Sequence, residues 1–500
     1  MQIDVICGSV TEVLCDALIV NIFEGVIMPG GAAGVIDKAL AGHISEIIRD
    51  QPDCGKYGEI TIIHTRQSIG AKNVILLGLG KKAELTLNKI CSLSAIAARA
   101  AKKLRVQTVA SIVHGAGKGQ HEPKFAVQAL VEGTILGIYR FDYYKTEKKD
   151  LPTIDKFIII ENDIDKIGIF KDQAGKAQII AESVNFTRDL VNHPAEHMTP
   201  TQLAWHASDI AQQTGIEISI FDKRDMEEYQ MNALLAVAKG SDKPPKMIVL
   251  KYIGDAKQKQ FTAFIGKGIT FDSGGISLKP SENMGDMKGD MAGGAAVLGA
   301  MLAIGQLKPA ANIVAIIPCA ENMPSGHALK PGDVIFTMNG KSVEIISTDA
   351  EGRLILADAI TYALKLGATQ LIDLATLTGA CVVALGTITS GVISNNDDLC
   401  CRLLKAAAQS GEKMWEMPNF EEYNELIKSN IADLKNSGGR WGGMITAGLF
   451  LNHFTDKTPW VHIDIAGTSD IDKDSGYNIQ GATGAGVRTL IQFAQNLNKI

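Results

Sequence analysis

The chain has 500 residues, 46% of them hydrophobic and 21% charged, a composition that excludes a disordered or collagen-like polymer and leaves room for two or three domains with cores of their own. Lysine and arginine number 49 against 55 aspartates and glutamates, a net charge of −6, so no basic excess advertises nucleic acid or an anionic membrane as partner. The eight cysteines are scattered without a CxxC pair, against a disulfide scaffold or a zinc ribbon.

The opening MQIDVICGSV carries Asp4 and lacks both a basic leader and an apolar run of signal-peptide length, and about 18 uninterrupted apolar residues occur nowhere. A reduced cytoplasm with no membrane segment is the expectation. In chain order, β-rich runs at Leu18 to Ile22, Glu59 to His64 and Asn73 to Leu79 alternate with helical apolar spacing at Asn88 to Leu104 and Lys124 to Tyr139. A polar run, Tyr143 to Pro152, precedes one more strand at Phe157 to Ile160 and a helical stretch from Ala174 to Val191. These define a smaller N-terminal α/β domain over 1–170 and a connecting helix or linker over 171–195.

From 196 to 500 the reading is a helix at Gln202 to Thr214, then strands at Glu217 to Phe221, Met247 to Tyr252, Phe261 to Gly266, Ile313 to Pro318 and Gln370 to Leu374, with helical segments between. Such alternation predicts a larger C-terminal domain with a mixed, mostly parallel sheet flanked by helices, and functional residues in loops beyond the carboxyl ends of its strands.

Two clusters carry the chemistry. The first, 265-IGKGITFDSGGISLKPSENMGDMKGDMAGGAA-296, sets Lys267, Asp272, Lys279 and Asp290 in a glycine-rich loop after a strand, where tight turns can gather them around a small object. The second, 347-STDAEGRLILADAITYAL-364, places Asp349 and Glu351 two apart; in an extended segment both carboxylates would point to one side. Helical spacing from Leu354 onward puts Gly352 and Arg353 at a helix start suited to an anion. Four carboxylates with few histidines would repel one another, and one or two divalent cations would relieve that cost. Paired metals can acidify a shared water to a pKa of about 7, oxygen ligation favours Mn, Mg or Zn, and a lysine beside them can lose its proton and ligate as an amine.

Both clusters resemble signature regions of the leucyl aminopeptidase (cytosol aminopeptidase) family, as a bacterial member. STDAEGRL matches the family's NTDAEGRL except for Ser347. The likeness extends through GKGITFDSGG, ATLTGA at 375–380, GGR at 438–440 and HIDIAGT at 462–468, while the first half resembles the family's variable, macro-like N-terminal domain in size and α/β character. The resemblance implies one metal held by Lys267, Asp272, Asp290 and Glu351 and a second by Asp272, Asp349 and Glu351, as Mn or Zn. It further implies Lys279 as electrophile toward the developing gem-diolate, Arg353 holding a bicarbonate ion as general base, and Asp290 near the substrate's α-amine. Met287, Thr376, Leu377, Gly379 and Ala466 would form an apolar pocket for leucine- or methionine-sized side chains. The implied activity is release of N-terminal residues from peptides by a homohexamer. The family's Asn-x-Pro-x-Asn segment stands here as 192-NHPAE-196, with Glu196 in the place of the second asparagine.

Other signals are weaker. Lys267 and Lys341 both lack the first glycine of a phosphate-binding loop, and Phe271 stands where a nucleophile elbow before Ser273 needs glycine. His193-Pro194-Ala195-Glu196-His197 fits an inverted zinc motif, yet Pro200 leaves barely a turn of helix for it. His327 and His462 read as core or supporting histidines, Cys319 and Cys381 as inert core, and 436-NSGGRWGGMITAG-448 as an ordered loop near the site or a subunit contact. A DNA-binding architectural role and a dimetal phosphoesterase are the alternative functions, the first disfavoured by the acidic balance.

Overall fold

A computed structural model describes residues 1–117, 121–147 and 153–497; part of the polar run expected at Tyr143 to Pro152 lies outside them. The chain forms two compact units, Met1–Glu182 together with Lys473–Ile479, and Ser183–Asp472 together with Gln480–Ile500. The helix Ile164–Asn192 includes the residues at which the first unit gives way to the second.

In the first unit, β-branched runs pair into a six-stranded sheet ordered Gln2–Cys7, Lys156–Glu161, Thr108–Ile112, Cys15–Ile22, Ala71–Gly78, Ile60–His64. All neighbours are parallel except the last pair. The strands Gln2–Cys7 and Thr108–Ile112 have no counterpart in the sequence reading, because each is short and half polar. Helix Leu87–Lys103 starts on Thr86, whose hydroxyl accepts the Lys89 N–H, and its small residues pack it on the helix Pro123–Gly137. His114 is fully buried, its Nδ1 2.7 Å from Asn21 Nδ2 and its Nε2 3.4 Å from Ser111 Oγ.

The second unit is built on a nine-stranded sheet. Its order runs Met414–Glu416, Ser390–Ser394, Trp460–Asp464, Ala368–Ala375, Phe261–Gly266, Asn312–Asn322, Lys246–Ile253, Glu217–Phe221, with Gly268–Asp272 added beside the end of Asn312–Asn322. The central strands are parallel, whereas Lys246–Ile253, Glu217–Phe221 and Ser390–Ser394 join antiparallel. Phe261–Gly266, Gly268–Asp272, Asn312–Asn322, Ala368–Ala375 and Trp460–Asp464 therefore present their carboxyl ends on one side, where an open α/β sheet gathers its functional loops. The segment Met284–Leu307 is long and apolar enough by composition to cross a bilayer, but it is mostly buried inside the protein. Gly293 within it lies where a Cβ would meet the Leu374 carbonyl oxygen at 2.2 Å, so the helix rests directly on the central strands.

Candidate active site

Lys267 follows the strand Phe261–Gly266, and Asp272 ends the strand Gly268–Asp272. The chain then reverses through Gly274 and Gly275, with φ of +86° and +65°, a region that costs side-chain-bearing residues energy. The Gly274 N–H bonds Asp272 Oδ1 at 2.9 Å, and Asn322 Nδ2 bonds the same oxygen at 2.8 Å, so one carboxylate oxygen is fixed from two sides. The second cluster is stapled to the first: Thr348 Oγ1 donates to the Gly274 carbonyl at 2.6 Å and accepts the Ser277 N–H at 2.8 Å, while Ser277 Oγ accepts the Thr348 N–H at 3.1 Å.

Asp349 and Glu351 are not on an extended segment. Asp349 sits in a turn, Glu351 has helical backbone angles at the cap of the helix Gly352–Lys365, and the Ala350 N–H bonds the Ser347 carbonyl at 3.3 Å. The turn is held by Asn436, which is fully buried: its Oδ1 accepts the Ile346 N–H at 2.8 Å and its Nδ2 donates to the Ser347 carbonyl at 2.6 Å. Its backbone carbonyl also accepts Arg353 Nη1 at 2.9 Å.

These elements bring the charged groups together. Lys267 Nζ is 2.8 Å from Asp290 Oδ1 and 2.8 Å from Glu351 Oε1, and it donates to the Thr376 carbonyl at 3.0 Å. Asp290 Oδ2 lies 2.7 Å from the same ammonium, within ion-pair distance but without hydrogen-bonding geometry. Lys279 Nζ bridges Asp272 Oδ2 at 2.9 Å and Asp349 Oδ1 at 2.6 Å. Thr376 Oγ1 donates to Asp290 Oδ1 at 2.8 Å. Asp272, Asp290 and Glu351, all buried, each offer an oxygen within 4.8 Å of the others, the arrangement of a cation site. Glu351 Oε2 and Asp290 Oδ2 are buried without a hydrogen-bond donor.

Burial disfavours the Lys267 ammonium, yet Asp290, Glu351 and Asp272 outweigh it and hold its pKa above the ordinary lysine value. The charges it feels from these side chains are acidic; the amine form expected beside cations belongs to the metal-loaded site. Lys279 is raised in the same way, burial being overcome by Asp272 and Asp349. Burial drives Asp290 well above the usual carboxylate range against the pull of Lys267. Glu351 and Asp349 are raised by burial and then by the Asp272 charge. Burial lowers Arg353 to about 10 against the attraction of Glu351, Asp464 and Asp349.

One cavity of about 610 Å³ takes in Lys267, Asp272, Lys279, Asp290, Asp349, Glu351, Arg353 and all five pocket residues, Met287, Thr376, Leu377, Gly379 and Ala466. Gly439 and Gly443 place part of the 436–448 loop on the same wall. Sequence reasoning passed over the residues that position these groups: Asn322, Thr348, Asn436 and Asp464. Asp464 is fully buried, its Oδ1 accepting the N–H groups of Leu377 at 3.2 Å and Ala466 at 3.1 Å and its Oδ2 accepting Thr378 Oγ1 at 2.7 Å. It stands in the HIDIAGT segment and Thr348 in STDAEGRL, the signals that could have found them; Asn322 and Asn436 are common polar residues whose partners lie far away in sequence. His193 to His197 form turns, not a helix, so the inverted zinc motif has no shared face. Glu196 pairs with Lys243 at 3.0 Å on the surface, and the Asn192 carbonyl accepts Lys288 Nζ at 2.9 Å.

Comparison with known proteins agrees with this geometry. The family model of the cytosol aminopeptidase catalytic domain matches residues 185–491, and that of the N-terminal domain matches 19–148. A protein of Alkaliphilus metalliredigens named "Probable cytosol aminopeptidase" is 45% identical over 100% of both chains. One of the same name from Geobacter sulfurreducens is 42% identical over 99% of both. Among solved structures, a mutant of tomato leucine aminopeptidase superposes with a TM-score of 0.89 at 34% identity, covering 99% of this chain and 96% of its own. The bottromycin maturation enzyme BotP, in complex with Mn, gives 0.86 at 31% identity, covering 97% and 99%. The chain belongs to the cytosol aminopeptidase family and is a peptidase, a hydrolase of peptide bonds.

Proposed function

We propose that the protein is a cytoplasmic dimetal exopeptidase that removes leucine and other residues from peptide N-termini. Lys267, Asp272, Asp290 and Glu351 would hold one divalent ion, Mn or Zn, and Asp272, Asp349 and Glu351 a second. Buried carboxylate oxygens without donors, Asp290 Oδ2 and Glu351 Oε2, fit such ions, as does an all-oxygen set completed by one amine, and the Mn complex of BotP supports the metal. Bound there, the ions would supply Lewis acidity and lower the pKa of a water, and a bicarbonate held at Arg353 would supply a base for it.

The chain's own residues do the rest. Lys279 presents an ammonium among Asp272 and Asp349, placed to donate to an oxygen that gains negative charge at the scissile carbonyl. Arg353 lines the cavity at a helix start, where guanidinium and backbone N–H groups favour an anion. Asp290, anchored by Thr376, would accept from the substrate's free α-amine, which confines cleavage to the first residue. Met287, Thr376, Leu377, Gly379 and Ala466 would take that residue's side chain. A homohexamer is the assembly proposed, supported by large apolar side chains exposed on the catalytic unit, among them Val383, Trp415, Phe420 and Trp441.

The observation that carries this reading is the convergence of six carboxylate- and amine-bearing side chains, Lys267, Asp272, Lys279, Asp290, Asp349 and Glu351, from both sequence clusters on one cavity. Metal analysis of the purified protein with cleavage of an amino-acid anilide set tests it. Leucine anilide should be hydrolysed, activity should vanish with chelator and return with Mn or Zn, and Asp272→Ala should abolish it. Full turnover by the metal-stripped protein would reject the reading.

A further inference from the structure

The strands Ala368–Ala375 and Trp460–Asp464 are parallel neighbours with Ala375 and Asp464 in register. One more rung follows, the Ile465 N–H to the Ala375 carbonyl at 2.8 Å. Past it the two chains enter the cavity wall as separate loops, one carrying Thr376 and Leu377, the other Ala466. There the crosslink passes from the ladder to a side chain. Asp464 Oδ1 accepts the Leu377 N–H at 3.2 Å from one loop and the Ala466 N–H at 3.1 Å from the other, while Oδ2 accepts the Thr378 hydroxyl at 2.7 Å.

That hydroxyl oxygen also accepts the Cys381 N–H at 3.0 Å and caps the helix Gly379–Leu385. The bonds therefore run from Asp464 through Thr378 to Gly379, where a Cβ would meet nothing within 4 Å, open space beside the cavity that it lines. Leu377, Gly379 and Ala466 thus all take their positions from one carboxylate. Thr376 and Met287 are tied to the reacting side instead: Thr376 Oγ1 donates to Asp290 Oδ1, and the Met287 carbonyl accepts the Asp290 N–H at 3.3 Å. Asp464 is itself fully buried and does not line the cavity, so it acts on a bound side chain only through the walls it holds. A carboxylate oxygen shared by both loops fixes the distance between them. Across an apolar pocket that distance decides which side chain fills it, and one methylene more or less there is worth roughly ten- to two-hundredfold in rate.

We propose that Asp464 is a positioning residue that sets the width of the first-residue pocket, and with it the preference for leucine over smaller and larger side chains. The inference rests on the reading of Met287, Thr376, Leu377, Gly379 and Ala466 as that pocket.

The measurement is a pair of ratios: kcat/KM for leucine anilide over that for alanine anilide, and over that for phenylalanine anilide. A general loss of folded or active enzyme cancels from both. Asp464→Ala removes the crosslink, and both ratios should fall about tenfold or more as the wall draws away from leucine. Asp464→Asn keeps an oxygen for the two N–H groups and turns its amide nitrogen to the Thr378 oxygen, and should hold both ratios within about twofold of wild type. Thr378→Val deletes the Oδ2 arm alone and should lower them about fivefold, which decides the matter should Asp464→Ala fail to fold. Equal losses on all three substrates, with the ratios unmoved in Asp464→Ala or in Thr378→Val, would show a carboxylate that serves stability only and overturn the proposal. Ratios that fall as far in Asp464→Asn as in Asp464→Ala would overturn it too. Wild-type protein inactive on every anilide would instead remove the exopeptidase reading, and this inference with it.

Discussion

Gly352 shows how closely the site is fitted around a single side chain. A Cβ at this position would stand 2.6 Å from Lys267 Cε and 2.9 Å from its Nζ, and that ammonium cannot retreat without leaving Asp290, Glu351 and the Thr376 carbonyl. Gly352 opens the helix Gly352–Lys365, where alanine is intrinsically the better helix former by up to about 1 kcal/mol. The overlap with a buried, fully engaged lysine outweighs that gain, so Gly352→Ala is expected to lower the melting temperature and to lower leucine-anilide kcat by about a hundredfold or more, measured by calorimetry and steady-state kinetics on one preparation. At this scale much was legible. Acidic and basic residues crowded into two short glycine-rich segments are unusual enough to stand out, and they do converge. Asn322 and Asn436 were not legible, since an asparagine whose amide bonds a partner 50 or 90 residues away has the same appearance in sequence as one in a surface turn.

At the level of elements, the two clusters behave as one loop system, crosslinked by Thr348 and Ser277 and closed from behind by Asn436. The expectation that Asp349 and Glu351 share a side by strand geometry failed because the chain turns before the helix; Asn436 pays the backbone of that turn with the hydrogen bonds a neighbouring strand would have supplied. Asn436→Ala is expected to cost about 1–3 kcal/mol in a urea melt by leaving buried N–H and C=O groups unpaired. Activity should fall by more than stability explains, because the turn that carries Asp349 loses its support. A variant equal to wild type in both assays would show the turn to be self-supporting. The strand and helix positions of the second half were readable from periodicity, as was the mostly parallel sheet. Which outer strands join antiparallel was not, because pairing direction depends on connections and not on local alternation.

Across the whole molecule, the two units carry buried histidines of opposite character. Burial lowers His114 to about 4, so the folded first unit needs it neutral. The stability it supports is fully present above the unfolded histidine value near 6.5 and is lost as pH falls toward 4, about 3 kcal/mol in all. For His462 burial also disfavours the charge, but Asp373 prevails and raises it, so its share is present in mild acid and is lost as pH rises through that raised value. Calorimetry between pH 7 and 4 should show the first unit's transition falling, and in His114→Gln that slope should flatten over the same range. An unaltered slope would mean that other groups set the acid response.

The seven-residue segment Lys473–Ile479 belongs to the first unit although residues on either side of it belong to the second. Its Ser475 and Asn478 exchange backbone hydrogen bonds across a two-residue turn, and Gly476 there has a φ of +58° and faces Ser92. Its flanks, Asp470 and Gly481, line the catalytic cavity. No single cut in the gene can therefore yield both halves intact: a fragment ending within the long helix forfeits a finger of its own packing, and the remainder carries that finger with nothing to grip, anchored at both ends in the wall that would face substrate.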